Sequence, residues 1–324
     1  MSVTFSGAFT FTGGGFTASL APPAGATAGW FGGGQTGPSV ATIVSTVDRI
    51  TFATDTATAS VRGSLSNDKN RTAATGTLTY GYFGGGYVSG TFFAGFDRIT
   101  FASDTATATQ RGALNNDLAD MSATTDSTTY GWFGGGFNPN LSPNTVSSVQ
   151  RITYANDSVV ASLRGPLTSI RSKLAATGSS SYGWFGGGYN PPTSAGTSIV
   201  NRITYATDTD TASTRGSLSS ARYNLTAVTD TTTYGWFAGG LGATVVQRIT
   251  YATDTATASV RGPLSSARST SGATCNSTYG WIGGGSPITS TITRITYATD
   301  TDTSVDRGYL SIARQRVAGT SGQQ

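Results

Sequence analysis

The segment Tyr182-Gly183-Trp184-Phe185-Gly186-Gly187-Gly188 alternates as a strand does, with Tyr182 and Trp184 on one face, Gly183 and Phe185 on the other, and three glycines where it stops. Rings on one face and glycine on the other suit a sheet that packs face to face against a copy of itself. Copies exist: the block recurs six times, centred on Trp30, Tyr82, Trp132, Trp184, Trp236 and Trp281, at steps of 52, 50, 52, 52 and 45 residues. Self-similarity at this period, with short strands and glycine punctuation, is the sequence signature of one propeller blade per copy.

Working outward from the block, the unit reads as four strands: 174–177, then 182–185 running into the glycines, then 201–206 and 209–215, separated by Gly, Asn, Asp and Ser turns that leave almost no room for helix. The expected fold is all-β, a six-bladed propeller of four-stranded blades over residues 27–324. The first unit starts at its second strand, Ala28-Gly29-Trp30, and residues 312–320 match a first strand that lacks a second. The C-terminal strand is therefore expected to complete the blade begun near residue 28 and to remove the open edge. Residues 1–26 belong to no blade. The alternation of Val3 and Phe5, then Phe9 and Phe11, before Pro22-Pro23 reads as a strand pair, an attachment arm with its linker.

Composition excludes much chemistry. The 324 residues contain no His, and all 16 acidic groups are Asp, so imidazole ligands, bases and proton shuttles are absent. Neither metal nor cofactor is expected. Cys275 stands alone, where another unit has Gly178, and reads as packing. No basic segment followed by an apolar run opens the chain, and no stretch reaches about 18 apolar residues, so neither a secretion signal nor a membrane span is expected.

The charges recur with the rings. Arg49, Arg98, Arg151, Arg202, Arg248 and Arg294 precede Ile-Thr in the third strand, and Arg62, Arg111, Arg164, Arg215, Arg261 and Arg307 precede glycine after the fourth. Between them lie Asp55, Asp104, Asp157, Asp208, Asp254 and Asp300, six residues after the first Arg and seven before the second. The pattern reads as a structural set of Arg–Asp pairs and turn caps. These two positions absorb 12 of the 20 basic residues, which leaves the net charge of +4 spread out and gives no nucleic-acid footprint. Six identical carboxylates are also poor candidates for one catalytic centre, which needs differently tuned groups.

The order Ser220-Ala221-Arg222, a strand, Tyr234-Gly235-Trp236-Phe237-Ala238-Gly239-Gly240, a variable loop and Arg248-Ile249-Thr250-Tyr251 resembles the kelch motif. The departure is the fourth strand, where kelch repeats carry Trp and this chain has Thr, Ala and Ser. The wording Trp-Phe-Gly-Gly-Gly with Arg-Ile-Thr-Tyr-Ala-Thr-Asp-Thr-Ala-Thr-Ala resembles repeats in virion structural proteins of marine bacteriophages, notably cyanophages. That resemblance implies a non-enzymatic tail-fibre-like appendage or outer decoration, an oligomer in the extracellular particle, joined to other virion proteins through residues 1–26. A free carbohydrate-binding propeller of a bacterium is the alternative, and a polysaccharide-degrading enzyme the third reading.

Four antiparallel strands place the second-to-third loops and the blade-to-blade connections at one end of the ring. The second-to-third loops, 35–48, 87–97, 137–150, 189–201, 241–247 and 286–293, vary in length and wording, as recognition loops on a rigid scaffold do. The candidate binding residues there are Tyr87, Phe92, Phe93, Phe137, Asn138, Asn140, Tyr189 and Asn190, rings and amides suited to a host-surface glycan or a protein.

Overall fold

The structure, a computed structural model, describes residues 26–322 and two short strands at 10–12 and 15–17. It is all-β. Among the described residues the repeated units form six four-stranded antiparallel sheets, consistent with propeller blades. The fourth is typical, pairing Ala175–Gly178, Tyr182–Gly186, Val200–Thr204 and Ser213–Arg215 in that order. Trp184 lies opposite both Thr177 and Arg202. Sheet one is assembled from both ends of the chain: Ala318–Thr320 pairs with Ala28–Gly32, setting Trp30 opposite Thr320 and Phe31 opposite Gly319.

The sequence overextends two strands. The third stops at Thr204, and Tyr205–Thr207 turns as 3-10 helix, a feature repeated after every third strand. The turn carries the Tyr205 ring out of its own sheet to stack on Trp132 of sheet three, 3.9 Å between centroids. The fourth strand keeps only Ser213–Arg215. Its lack of large side chains follows from the same stack, since Trp132, Ala212 and Tyr205 pack in one cluster and the second-strand Trp fills the space that a fourth-strand ring would need.

Each inter-sheet seam repeats this plan. Trp132 Nε1 donates to Asp208 Oδ2 at 2.8 Å, and Arg151 and Arg164 approach the same carboxylate at 3.0 and 3.5 Å. The Arg–Asp pairs thus join neighbouring sheets instead of bracing one. The glycine after the second Arg serves the seam too: Gly165 N–H donates to Asp208 O, and a Cβ there would meet Asp210 O at 1.8 Å. Sheet six meets sheet one the same way, with Trp281 and Arg294 on Asp55 at 2.8 and 3.0 Å.

On the same face of the second strand, two residues beyond the Trp, a glycine faces the next sheet's phenylalanine. A Cβ on Gly186 would lie 2.6 Å from Phe237, and one on Gly283 would lie 3.0 Å from Phe31. Sheet five breaks the wording and keeps the volume, because Ala238 replaces the glycine and its buried cluster contains Ile282 where other sheets have Phe. Cys275 is buried in this cluster, and burial pushes its thiol up to about 11, the behaviour of a packing residue.

In the arm, Thr10–Thr12 pairs with Gly15–Thr17, Phe11 opposite Phe16. Val3, Phe5 and Phe9 lie outside the described residues. No helix among the described residues is long and apolar enough to cross a membrane.

Candidate functional site

Twelve seam arginines leave eight basic residues, and all eight lie in the connections that enter the first strands: Lys69, Arg71, Arg171, Lys173, Arg222, Arg268, Arg314 and Arg316. They divide into two roles. Lys69, Arg171, Arg222, Arg268 and Arg314 turn inward. Arg171 is fully buried, donates to Gly187 O, Ile199 O and Asn201 Oδ1, and is pushed down to about 10 by that burial. Lys69 and Arg314 are buried too and meet Asp97 and Asp48 at 3.0 and 3.1 Å. These cations tie five of the six connections to the glycine blocks, whose left-handed glycines let them approach, and the buried Leu118 holds the same position in the sixth. Gly136 N–H accordingly donates to Arg171 O at 2.9 Å, one sheet to the next.

Two residues beyond each inward position the backbone enters the left-handed region without glycine, at Arg71, Asp120, Lys173, Asn224, Thr270 and Arg316, with φ between 54° and 58°. Each N–H donates to the carbonyl of the preceding member, and Arg71 N–H donates to Arg316 O, so six backbone hydrogen bonds run in a closed circuit. The circuit borders a cavity of about 100 Å³ between the first strands, lined by their Ala, Ser, Thr and Gly with Met121, Leu174, Leu225 and Val317 at its edge. Its side chains are Arg71, Asp120, Lys173, Asn224, Thr270 and Arg316, three cations to one carboxylate.

The charges crowd. Asp120 sits 3.6 Å from Arg71, and Arg316 donates to Gln35 Oε1 at 3.0 Å. Arg316 is held below the usual arginine range, by burial first and by the Arg71 charge second, with Asp120 opposing.

Aromatic loops stand over this rim in two groups. On one side the Phe92 ring bridges Tyr87 and Phe137, at 5.3 and 5.8 Å, while Tyr87 lies 5.8 Å from the Arg71 guanidinium. On the other, Tyr189 and Tyr223 meet edge to face at 5.6 Å, and the Lys173 ammonium lies 5.4 and 5.7 Å from their rings. Between the groups is a cavity of about 340 Å³, bounded by Phe137, Tyr189, Pro191, Arg71, Asp120 and Lys173 among others. No family model matches the chain, and the comparison with curated proteins finds no match. The site is therefore read from its own chemistry.

Of the residues expected from the loops, Phe137 and Tyr189 line the cavity and Tyr87 and Phe92 back it. Phe93 turns inward instead, over Gly95 and 5.6 Å from the Lys69 ammonium. Asn138 is buried and ties its loop to the connection before the first strand, donating to Asp117 O and accepting from Asn140 N–H, which leaves Asn140 exposed at the tip. Asn190 pairs with Ala195 in a two-residue ladder. Arg71, Asp120, Lys173, Tyr223 and Arg316 were missed. A signal was present: in six otherwise similar connections, one column changes chemistry from Arg to Asp, Lys, Asn, Thr and Arg.

What this arrangement offers is recognition: fixed charges, ring faces and a cavity of ligand size on a hydrogen-bonded rim.

Proposed function

We propose that the six sheets are blades of one closed, six-bladed kelch-like propeller and that the protein is a non-enzymatic virion component. In this reading it is an appendage or outer decoration showing its loop face to a host surface or another protein. The closed hydrogen-bond circuit and the seam from sheet six to sheet one support the ring. The wording of the repeats supports the virion role. The observation that carries the binding reading is the loop-face cavity, where the variable loops of Phe137 and Tyr189 meet the constant rim. Residues 1–26 supply the anchor, an added strand pair being a common means of joining a neighbouring chain.

Cryo-EM of particles containing the chain tests this, since the propeller should appear outside the shell or on the tail with its loop end outward. Removal of residues 1–26 should leave a soluble protein with unchanged melting that no longer joins the particle. The aromatic cavity also suits a free lectin, and assembly undiminished without the arm would favour that alternative. Release of reducing ends from a polysaccharide would overturn the non-enzymatic reading.

A further inference from the structure

We infer that the loop-face cavity binds an acidic saccharide, with the carboxylate of a sugar acid held between Arg71 and Lys173 and the sugar ring against Tyr189 and Phe137. The inference rests on the proposed binding role of this face and names the ligand class that its chemistry selects.

The first support is the distribution of charge. Every recurring seam arginine has its aspartate, and the buried Lys69 and Arg314 have theirs. Lys173 has no carboxylate within salt-bridge reach among the described residues, and Arg71 has Asp120 alone, at a loose 3.6 Å. Arg316 adds a third cation to the same rim. Arg171, Arg222 and Arg268 also lack an aspartate but spend their guanidinium groups on carbonyl oxygens, so the surplus left for a ligand gathers at one rim, where concave walls of low dielectric concentrate its field. Burial first and the Arg71 charge second hold Arg316 below the usual arginine range, and an anion at the rim would offset the second of these.

The second support is positioning. Arg71 and Lys173 project from left-handed residues whose backbones are locked on both sides by the circuit, Asp120 N–H to Arg71 O at 3.1 Å and Lys173 N–H to Asp120 O at 2.7 Å. The Lys173 ammonium is further held beside two tyrosine rings. The cations are thus preorganised, which lowers the ordering cost of binding.

The third support distinguishes a sugar acid from a bare anion. A phosphate or sulfate would use the cations and leave the rest of about 340 Å³ empty, whereas Tyr189, Phe137 and Pro191 give apolar faces for the C–H side of a pyranose. Ser172, Thr145 and Asn144 offer hydrogen bonds to its hydroxyls.

The test is a glycan array of matched pairs, uronic-acid and sialylated oligosaccharides beside their methyl-esterified or neutral counterparts, probed with the purified full chain and followed by calorimetry on the best binder. Acidic members should bind and their neutral partners should bind at least about tenfold more weakly, the loss of one charge-assisted contact. Lys173→Gln and Arg71→Gln should each weaken binding by a similar factor with melting unchanged, and Tyr189→Ala should weaken sugar binding without creating a preference for the neutral partner. Inorganic phosphate should compete only weakly. Equal binding of acidic and neutral partners, or of phosphate and saccharide, would overturn the inference, as would an array on which no acidic member binds. Binding confined to neutral glycans but lost on Tyr189→Ala would sink the acidic ligand while leaving the loop-face reading intact.

Discussion

Gly186→Ala adds one methyl at the point where sheet four faces sheet five. That Cβ would lie 2.6 Å from Phe237 Cε1 and 2.8 Å from Cζ. Carbon atoms in contact prefer about 3.5–4.0 Å, so one of them must give by roughly 1 Å. Phe237 is 1% exposed inside a packed cluster and has nowhere to swing. The substitution should cost about 1–3 kcal/mol, the range for overpacking. The chain itself shows the remedy at the next seam, where Ala238 and Ile282 are 2% and 0% exposed in one cluster. Phe237→Ile alone should cost about 1–2 kcal/mol through the void it leaves, less than a full truncation to alanine. Combined with Gly186→Ala it should recover most of both losses, giving a coupling of about 2 kcal/mol. Urea denaturation followed by tryptophan fluorescence, with thermal melting beside it, reads these differences. Phe31→Ile in the Gly186→Ala background is the control, because Phe31 faces Gly283 and should show additive losses. Additivity for Gly186→Ala with Phe237→Ile would refute the idea that glycine and ring are matched in volume across each seam.

Three further outcomes follow from the seams. Trp184→Phe keeps the stack on Tyr251 but loses the 2.9 Å bond to Asp254, and should cost about 1.5–3 kcal/mol, while Trp184→Ala should cost about 3–5; calorimetry that finds Trp184→Phe as stable as the wild type would remove the aspartate from the seam's energetics. Burial pushes the Asp157 carboxyl up, but hydrogen bonds from Arg111 and Tyr82 and the charges of Arg98 and Arg111 outweigh it and hold it below the usual carboxylate range. The stability it supplies is therefore full above the unfolded value of about 3.9 and lost as pH falls through the lower folded value, so the gap in melting temperature between wild type and Asp157→Asn should narrow below about pH 4, and a gap unchanged down to pH 2.5 would count against it. Deleting residues 309–324 removes the strand that pairs with Ala28–Gly32 and the Arg314–Asp48 pair, and should give aggregation or loss of cooperative unfolding on heating; a truncated protein that melts normally would contradict this.

Local chemistry was legible in the residue string because the repeat displays it six times. The Trp block, the triple glycine and the alternation of Tyr182 to Phe185 dictate short strands, since rings and β-branched residues fill a pleated face and glycine allows the left-handed turn after it. The matching of residues 312–320 to a first strand placed the C-terminal strand beside Ala28–Gly32, and the recurring Arg and Asp announced ion pairs. What the string left open was which Arg met which Asp. Arg151 and Asp208 lie 57 residues apart and meet only because one sheet packs on the next, a distance in space that periodicity within a unit does not encode. The early end of the third strand was hidden for the same reason: Tyr205 has strand propensity, and only the Trp132 ring of another sheet turns it out. The site shows the limit most clearly. Loop variability pointed to Phe137 and Tyr189, but Arg71, Lys173 and Arg316 lie in connections that look alike, and they became neighbours only when six backbone hydrogen bonds drew those connections into one rim. Side-chain identity and alternation are properties of the chain; the gathering of charges separated by some hundred residues or more belongs to the packed sheets that bring them together.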